Sequence, residues 1–276
     1  MVRRALLIGF VYHETRRQLF GSLVDLYRVY TFLVKHGYDD IHLLTDLSRD
    51  PPVMNYKQTI LEGHVDATLL SFISKMQQKH QHHLIRNDGD LSNKISELLN
   101  DVEQCMIYIT GHGEDLGFVC PTGIISWTKL QTAIFTPLHK RSQVIIFLDT
   151  CHAWHFQLPY TLLRERKYFS FIGTTFFPAC HLVLLTTQGY QAAATSAGSL
   201  VTRSLFNLLE KGYDDYFILR DKVEKDLQVT DTLRSMHLQV AVYATYPTLY
   251  RLWDWFQGDN KKSITTYQEG LFLELF

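Results

Sequence analysis

Short, continuously apolar runs that alternate with helical periodicity constrain the fold of this chain most strongly. Residues 5–12 form the first run, leucines at helical spacing follow within residues 19–33, and residues 41–45 form the second run. Strands buried on both faces of a parallel sheet read as uninterrupted apolar segments, and helices connect them. A strand, a helix and a strand within about 45 residues therefore predict a βαβ unit and an α/β fold.

The same alternation continues along the chain, and its strongest strand signal lies at residues 143–148. Further strands are predicted at residues 105–109, 181–187 and 238–243, and further helices at residues 56–79, 91–102, 126–135 (with Ser126 as a possible N-cap), 196–212 and 216–227. Residues 79–90 are polar and end in Asn-Asp-Gly, which predicts an exposed loop. No internal repeat or Gly/Ser linker divides the 276 residues, so we expect a single domain over residues 1–276.

Composition excludes several classes of protein. Apolar residues make up 46% of the chain and charged residues 20%, which is too apolar for disorder. The 27 basic and 28 acidic residues give a net charge of -1, without the basic excess that would indicate nucleic acid or an anionic membrane as partner. Residues 5–12 lack a following small-residue cleavage site, so they predict a strand rather than a signal peptide. Four cysteines are too few for a disulfide scaffold, and we expect reduced thiols in a cytoplasmic protein.

The charges are unevenly placed, because none of the 35 residues from Tyr168 to Thr202 carries a formal charge. Residues 168–187 are long enough for a membrane span. Pro178, His181 and five Ser/Thr residues interrupt that stretch, which favours strand and turn over a helix. We therefore expect a buried segment and no membrane partner, with a membrane-anchored protein as the alternative.

Two predicted strands end in residues suited to thiol chemistry. Gly111-His112-Gly113 follows residues 105–109, and Asp149-Thr150-Cys151 follows residues 143–148. Functional groups collect at the carboxyl ends of parallel strands, where an imidazole can lower the pKa of a thiol from about 8.5 and later protonate a leaving amine. The backbone N–H groups of Gly113 and Cys151 could hold an oxyanion. Taken singly, each motif is also compatible with an ordinary core position.

These segments resemble a family, the metacaspases, within the caspase-like cysteine peptidases. Ala5-Leu6-Leu7-Ile8-Gly9 is similar to the opening strand of that family, and Gly21-Ser22-Leu23-Val24-Asp25 sits where it has Gly-Cys-x-x-Asp. Tyr108-Ile109-Thr110-Gly111-His112-Gly113 resembles its histidine motif, Tyr-Ser-Gly-His-Gly, with one extra residue after the tyrosine. Leu148-Asp149-Thr150-Cys151-His152 resembles its nucleophile motif, Asp-Ser-Cys-His-Ser-Gly. The resemblance extends from residue 5 to about residue 210.

The resemblance implies a cysteine endopeptidase that cleaves protein or peptide substrates after Arg or Lys. Cys151 would be the nucleophile and His112 the general base and acid. Asp25 and Asp149 would bind the basic side chain, and a buried Asp149 independently favours a cationic partner because an unpaired buried carboxylate is costly. The alternatives are a solvated helix position for Asp25 and a structural acceptor of loop N–H groups for Asp149. Two positions, Ser22 and Thr110, correspond to the pocket Cys and Ser of the family.

The resemblance also implies the architecture. We expect a caspase-like α/β domain with a mostly parallel central sheet flanked by helices on both faces, and a monomer. The part similar to a large subunit covers residues 1–165, and the part similar to a small subunit covers residues 168–276. Self-cleavage is predicted between them, at a basic cluster formed by Arg164, Arg166 and Lys167. The alternative for this cluster is a solvated loop.

Some residues depart from the family pattern. Ala153-Trp154 stands where the family has Ser-Gly, and only Glu114 and Asp115 follow the histidine motif as acidic residues. Calcium takes about 6–8 oxygen ligands, and two acidic residues are too few to supply them. We therefore expect activity without calcium and no metal or other cofactor. A set of three histidines, His80, His82 and His83, is predicted to be solvated rather than metal-binding. These departures keep open an alternative function, a caspase-like scaffold or regulatory protein with little or no peptidase activity.

Overall fold

The computed structural model describes residues 3–12, 15, 17, 19, 21–48, 67–138, 142–151, 156, 180–185, 194–195, 198–212, 222 and 240–244. Its strands, in chain order, are β1 (Arg3–Gly9), β2 (Asp40–Thr45), β3 (His82–Leu84), β4 (Gln104–Gly111), β5 (Gly113–Glu114), β6 (Gly117–Val119), β7 (Ile124–Ser126), β8 (Gln143–Thr150), β9 (Cys180–Leu185), β10 (Ala194–Thr195), β11 (Gly198–Ser199) and β12 (Val240–Ala244). Its helices are α1 (Gly21–Lys35), α2 (Ala67–Gln78), α3 (Asp88–Leu99), α4 (Trp127–Phe135) and α5 (Leu200–Glu210).

Seven strands form the central sheet, in the order β12-β9-β8-β4-β1-β2-β3. Neighbouring strands are parallel from β3 to β9, and β12 pairs antiparallel with β9 at one edge. The short strands β5, β6 and β7 form a separate antiparallel sheet directly after β4. Parallel neighbours joined through helices confirm the predicted α/β class.

Both faces of the central sheet are covered, which explains the uninterrupted apolar runs of the sequence. All eight residues of β4 are buried. Met106 and Tyr108 lie in the core layer that contains apolar residues of α1, α2 and α5. Ile107 and Ile109 lie in the opposite layer, with apolar residues of α3 and α4. Since successive side chains of a strand point to opposite faces, a strand between two helical layers must be apolar at nearly every position.

The prediction of an exposed loop at residues 79–90 is wrong. Residues His82–Leu84 form strand β3, which pairs with β2 at the edge of the sheet. Helix α3 begins at Asp88, and the Asn87 side chain accepts a hydrogen bond from the N–H of Asp90 (2.9 Å) as its N-cap. A strand at the sheet edge is only partly buried, so it needs no apolar run, and its histidines carried no strand signal.

The segment without formal charge contains strand β9, so residues 168–187 do not form one continuous helix. In the part of the chain that the structure describes, no helix is long and apolar enough to cross a membrane. The predicted N-cap of α4 is confirmed, because Ser126 Oγ accepts a hydrogen bond from the N–H of Lys129 (3.2 Å). The predicted helix at residues 216–227 falls almost entirely outside the described residues.

Candidate active site

Strands β4 and β8, which His112 and Cys151 directly follow, are neighbours in the sheet. Thr110 lies opposite Asp149 and Gly111 lies opposite Thr150 in their parallel pairing. His112 and Cys151 are the next residues on the two strands, so they leave the same edge of the sheet side by side. This edge is the carboxyl end of a parallel sheet, where α/β proteins collect functional groups.

Gly113 brings the two strand ends into direct contact. A Cβ atom at this position would lie 2.0 Å from the carbonyl oxygen of Cys151 and 2.5 Å from the side-chain oxygen of Thr150. Only glycine fits such a close backbone approach. The residue after His112 therefore packs directly against the residue expected to be the nucleophile.

Two hydrogen bonds fix the position of His112. Its N–H donates to the hydroxyl of Tyr12 (2.8 Å), and its Nε2 lies 2.7 Å from the carbonyl oxygen of Arg17. A carbonyl oxygen only accepts, so Nε2 carries the hydrogen, and in neutral His112 the other nitrogen, Nδ1, is the proton acceptor. The Arg17 guanidinium pairs with Glu114 (2.8 Å) on the surface beside the imidazole.

Cys151 differs from the other cysteines whose side chains the structure describes. Its thiol is half-buried, whereas Cys105 and Cys120 are buried within the core. Burial raises the pKa of both core thiols, that of Cys120 to about 12. These two thiols therefore stay protonated and unreactive near neutral pH.

The carboxylates predicted to bind a basic side chain come together beneath this edge. Asp25 on α1 is 1% exposed and Asp149 on β8 is 3% exposed. Asp25 accepts hydrogen bonds from the N–H of Ser199 (2.7 Å) and from the guanidinium of Arg28 (3.0 Å). The alternative of a solvated helix position for Asp25 is therefore wrong.

A chain of hydroxyl groups contacts Asp149. The hydroxyl of Thr202 donates to Asp149, and Thr202 Oγ1 lies 2.8 Å from the hydroxyl of Tyr108. Because Thr202 has one hydroxyl hydrogen, Tyr108 must donate to Thr202. Ser199 and Thr202 belong to the N-cap and first turn of α5. The positive end of that helix thus faces both carboxylates.

The two buried carboxylates affect each other's ionisation. Burial raises the pKa of Asp25 well above its usual range, and the charge of Asp149 raises it further. The Ser199 N–H, Arg28 and Arg203 oppose this increase without cancelling it. Burial and the neighbouring carboxylate thus both favour the neutral form of Asp25, and a further cation beside the pair would favour its ionised form.

Ser22 and Thr110 lie in the same region and are both buried. The Ser22 hydroxyl, one turn before Asp25, has no hydrogen-bond partner among the residues that the structure describes. The Thr110 side chain interacts with the phenol of Tyr108. The structure thus places Ser22 and Thr110 beside the carboxylate pair.

Other predicted positions lie outside the described residues. These are the basic cluster Arg164, Arg166 and Lys167, the departure Ala153-Trp154, and His152 of the nucleophile motif. Among described residues, no group of three His, Cys, Asp or Glu side chains could hold a metal ion. Glu114, an acidic residue after the histidine motif, is paired with Arg17.

The sequence reasoning missed Tyr12, Arg28, Ser199 and Thr202, although each contacts a predicted site residue. Only Arg28 carried a usable signal, since it lies three residues after Asp25 on one helix. Neither a scan against protein-family models nor a search of curated proteins found a match for this chain.

Proposed function

We propose that this chain is a cysteine endopeptidase with a caspase-like fold, which hydrolyses peptide bonds after Arg or Lys. The observation that carries the proposal is the meeting of three groups at one sheet edge. His112 and Cys151 follow adjacent parallel strands, and the buried carboxylates of Asp25 and Asp149 lie below them. A thiol, an imidazole and a cation pocket together are what cleavage after a basic residue requires.

In the proposed reaction, His112 takes the proton of the Cys151 thiol, and the thiolate sulfur attacks the carbonyl carbon of the scissile bond. The N–H groups of Gly113 and Cys151 stabilise the oxyanion. His112 then gives its proton to the leaving amine as the C–N bond breaks. Water, activated by His112, hydrolyses the thioester and restores the thiol, with release of the new carboxylate.

The pocket gives the proposed specificity. Asp25 pairs with Arg28, and Asp149 accepts a hydrogen bond from Thr202. A basic P1 side chain would add a further cation to this pair in a dry environment, where charged hydrogen bonds are strong. We further propose that the enzyme is a single-domain monomer, needs no calcium, acts in a reducing compartment such as the cytoplasm, and cleaves itself near residues 164–167.

The same Asp25–Arg28 pair supports one second candidate. A carboxylate with an internal guanidinium partner could be purely structural, as in a caspase-like scaffold without peptidase activity. A scaffold would leave Cys151 without a special reactivity, and that difference is measurable.

Turnover of fluorogenic peptides that differ only at P1 tests the proposal. We expect the wild type to cleave an Arg peptide, and to cleave peptides with the neutral isostere citrulline or with Asp at P1 at least about 100-fold more slowly, because neither supplies the cation that the proposed pocket binds. Cys151→Ala and His112→Ala should be inactive, and Cys120→Ala is the matched control for loss of a thiol. Equal rates with calcium and with a chelator are expected. A folded wild type without turnover under either condition would favour the scaffold.

A further inference from the structure

Tyr12 sits at a strained backbone position just after β1. Its φ is +55°, a left-handed conformation that is unfavourable for a bulky side chain. Asp46, directly after β2, holds it there, because its carboxylate accepts hydrogen bonds from the N–H groups of Val11 (2.8 Å) and Tyr12 (2.6 Å). Such strain persists only where the surrounding structure enforces it.

The buried phenol of Tyr12 connects the histidine motif to strand β6. It donates to the carbonyl oxygen of Val119 (2.9 Å) and accepts from the N–H of His112 (2.8 Å). Its ring centre lies 4.7 Å from that of the His112 imidazole. Burial raises the pKa of the phenol, so it stays protonated and keeps its donor role.

The backbone of Tyr12 also places the acceptor for the imidazole. Its carbonyl oxygen accepts from the N–H (3.1 Å) and the hydroxyl (2.8 Å) of Thr15. The Thr15 hydroxyl in turn accepts from the N–H of Arg17 (3.1 Å). This turn presents the Arg17 carbonyl oxygen to Nε2 of His112 at 2.7 Å. One residue therefore fixes the backbone of His112 directly and its side chain through the turn.

We propose that Tyr12 is a positioning residue, which holds the imidazole of His112 in the orientation that exchanges a proton with Cys151. The proposal rests on the proposed function, since it assumes that His112 and Cys151 act together. It assigns Tyr12 no contact with the substrate. Loss of the phenol oxygen should therefore slow the chemical step without weakening substrate binding.

Tyr12→Phe is the decisive variant, because it keeps the ring and removes only the oxygen between His112 and Val119. Tyr30→Phe is its matched control. Tyr30 is also a buried tyrosine, and its hydroxyl has no hydrogen-bond partner among the described residues. Two readouts are needed, namely kcat and KM for an Arg peptide across pH, and the pH dependence of Cys151 alkylation by iodoacetamide, resolved by peptide mass spectrometry.

For Tyr12→Phe we expect kcat to fall about 10-fold or more with KM within about twofold of wild type. The midpoint of Cys151 alkylation should move toward about 8.5, the value of a free thiol. Tyr30→Phe should match wild type in both readouts. If Tyr12→Phe matches wild type as well, the inference is wrong.

Failure of the proposed function and failure of the inference about Tyr12 give different results. A wild type without turnover, whose Cys151 alkylates with a midpoint already near about 8.5, would overturn the proposed function and this inference together. An activated wild-type thiol with an unchanged Tyr12→Phe would overturn the inference alone. If Tyr12→Phe does not fold by circular dichroism, Thr15→Val replaces it, because it removes only the exposed hydroxyl that braces the turn. The same shift in alkylation is then expected, and an unchanged midpoint contradicts the inference.

Discussion

Replacement of Gly113 by alanine tests the contact that joins the two strand ends. The added Cβ would lie 2.0 Å from the carbonyl oxygen of Cys151. Attractive contacts between heavy atoms have their optimum at about 3.5 Å, so the two segments must separate by more than about 1 Å. The atom in the way belongs to the backbone and cannot rotate aside, so the strain must move the loop of His112, that of Cys151, or both.

The size of the effect follows from this displacement. Overpacking of a buried position costs about 1–3 kcal/mol, and for a chain of this length each kcal/mol lowers Tm by about 2–4 °C. We therefore expect Tm to fall by about 2–12 °C. A displacement of about 1 Å between reacting groups reduces rates about 100-fold, so kcat/KM for an Arg peptide should fall by about that factor.

Differential scanning calorimetry and steady-state kinetics measure both effects. Gly89→Ala is the matched control, because Gly89 lies in the first turn of α3 and its added Cβ would meet only the side-chain oxygen of Asn87, at 3.1 Å. Its Tm and activity should stay close to wild type. A Gly113→Ala protein with wild-type Tm and wild-type kcat/KM would show that the two strand ends do not meet as described.

Three other outcomes concern charge and cleavage. Because burial and Asp149 raise the pKa of Asp25, Asp25→Asn should stabilise the fold at neutral pH, with the gain lost below about pH 4, while KM for an Arg peptide rises. A lower Tm at neutral pH would contradict this reasoning. Burial lowers the pKa of His83 to about 4, so urea titrations should show stability falling by about 1 kcal/mol, after allowance for solvent screening, as the pH drops from about 6.5 to 4. A His83→Gln protein with the same pH slope would refute that assignment. Intact mass spectrometry should show wild type cleaved near residues 164–167 and Cys151→Ala uncleaved, whereas an active but intact wild type excludes self-cleavage.

The fold was largely predictable from the sequence because strands buried on both faces appear in it as uninterrupted apolar runs. Residues 143–148 and 105–109 are apolar at nearly every position, which is typical of central strands buried on both faces. The edge strand β3 was not predictable in this way. Its half-buried histidines are stabilised by a partner on another strand, such as the contact of His83 with His42 (3.0 Å), which local sequence does not reveal.

The candidate site was also predictable only in part. His112 and Cys151 were predictable because each follows a strong strand, and adjacent parallel strands end together. The partners that hold the carboxylates were not predictable, since Ser199 lies 174 residues from Asp25. Such hydrogen bonds depend on how α5 packs against the sheet, and no local pattern encodes them. Burial of the Asp25 and Asp149 carboxylates emerges only from the assembled layers.

The reactivity of Cys151 toward a cationic affinity label tests directly whether this thiol is a nucleophile next to a cation pocket. An arginyl peptide chloromethyl ketone alkylates a thiolate much faster when a pocket binds its guanidinium and so places its chloromethyl carbon beside the sulfur. We predict one adduct on intact wild-type protein, mapped to Cys151, with none from the aspartyl analogue and a strongly slowed reaction in Asp149→Asn. Equal labelling by the arginyl and aspartyl reagents, or labelling elsewhere than Cys151, would contradict a thiol peptidase with a cation pocket.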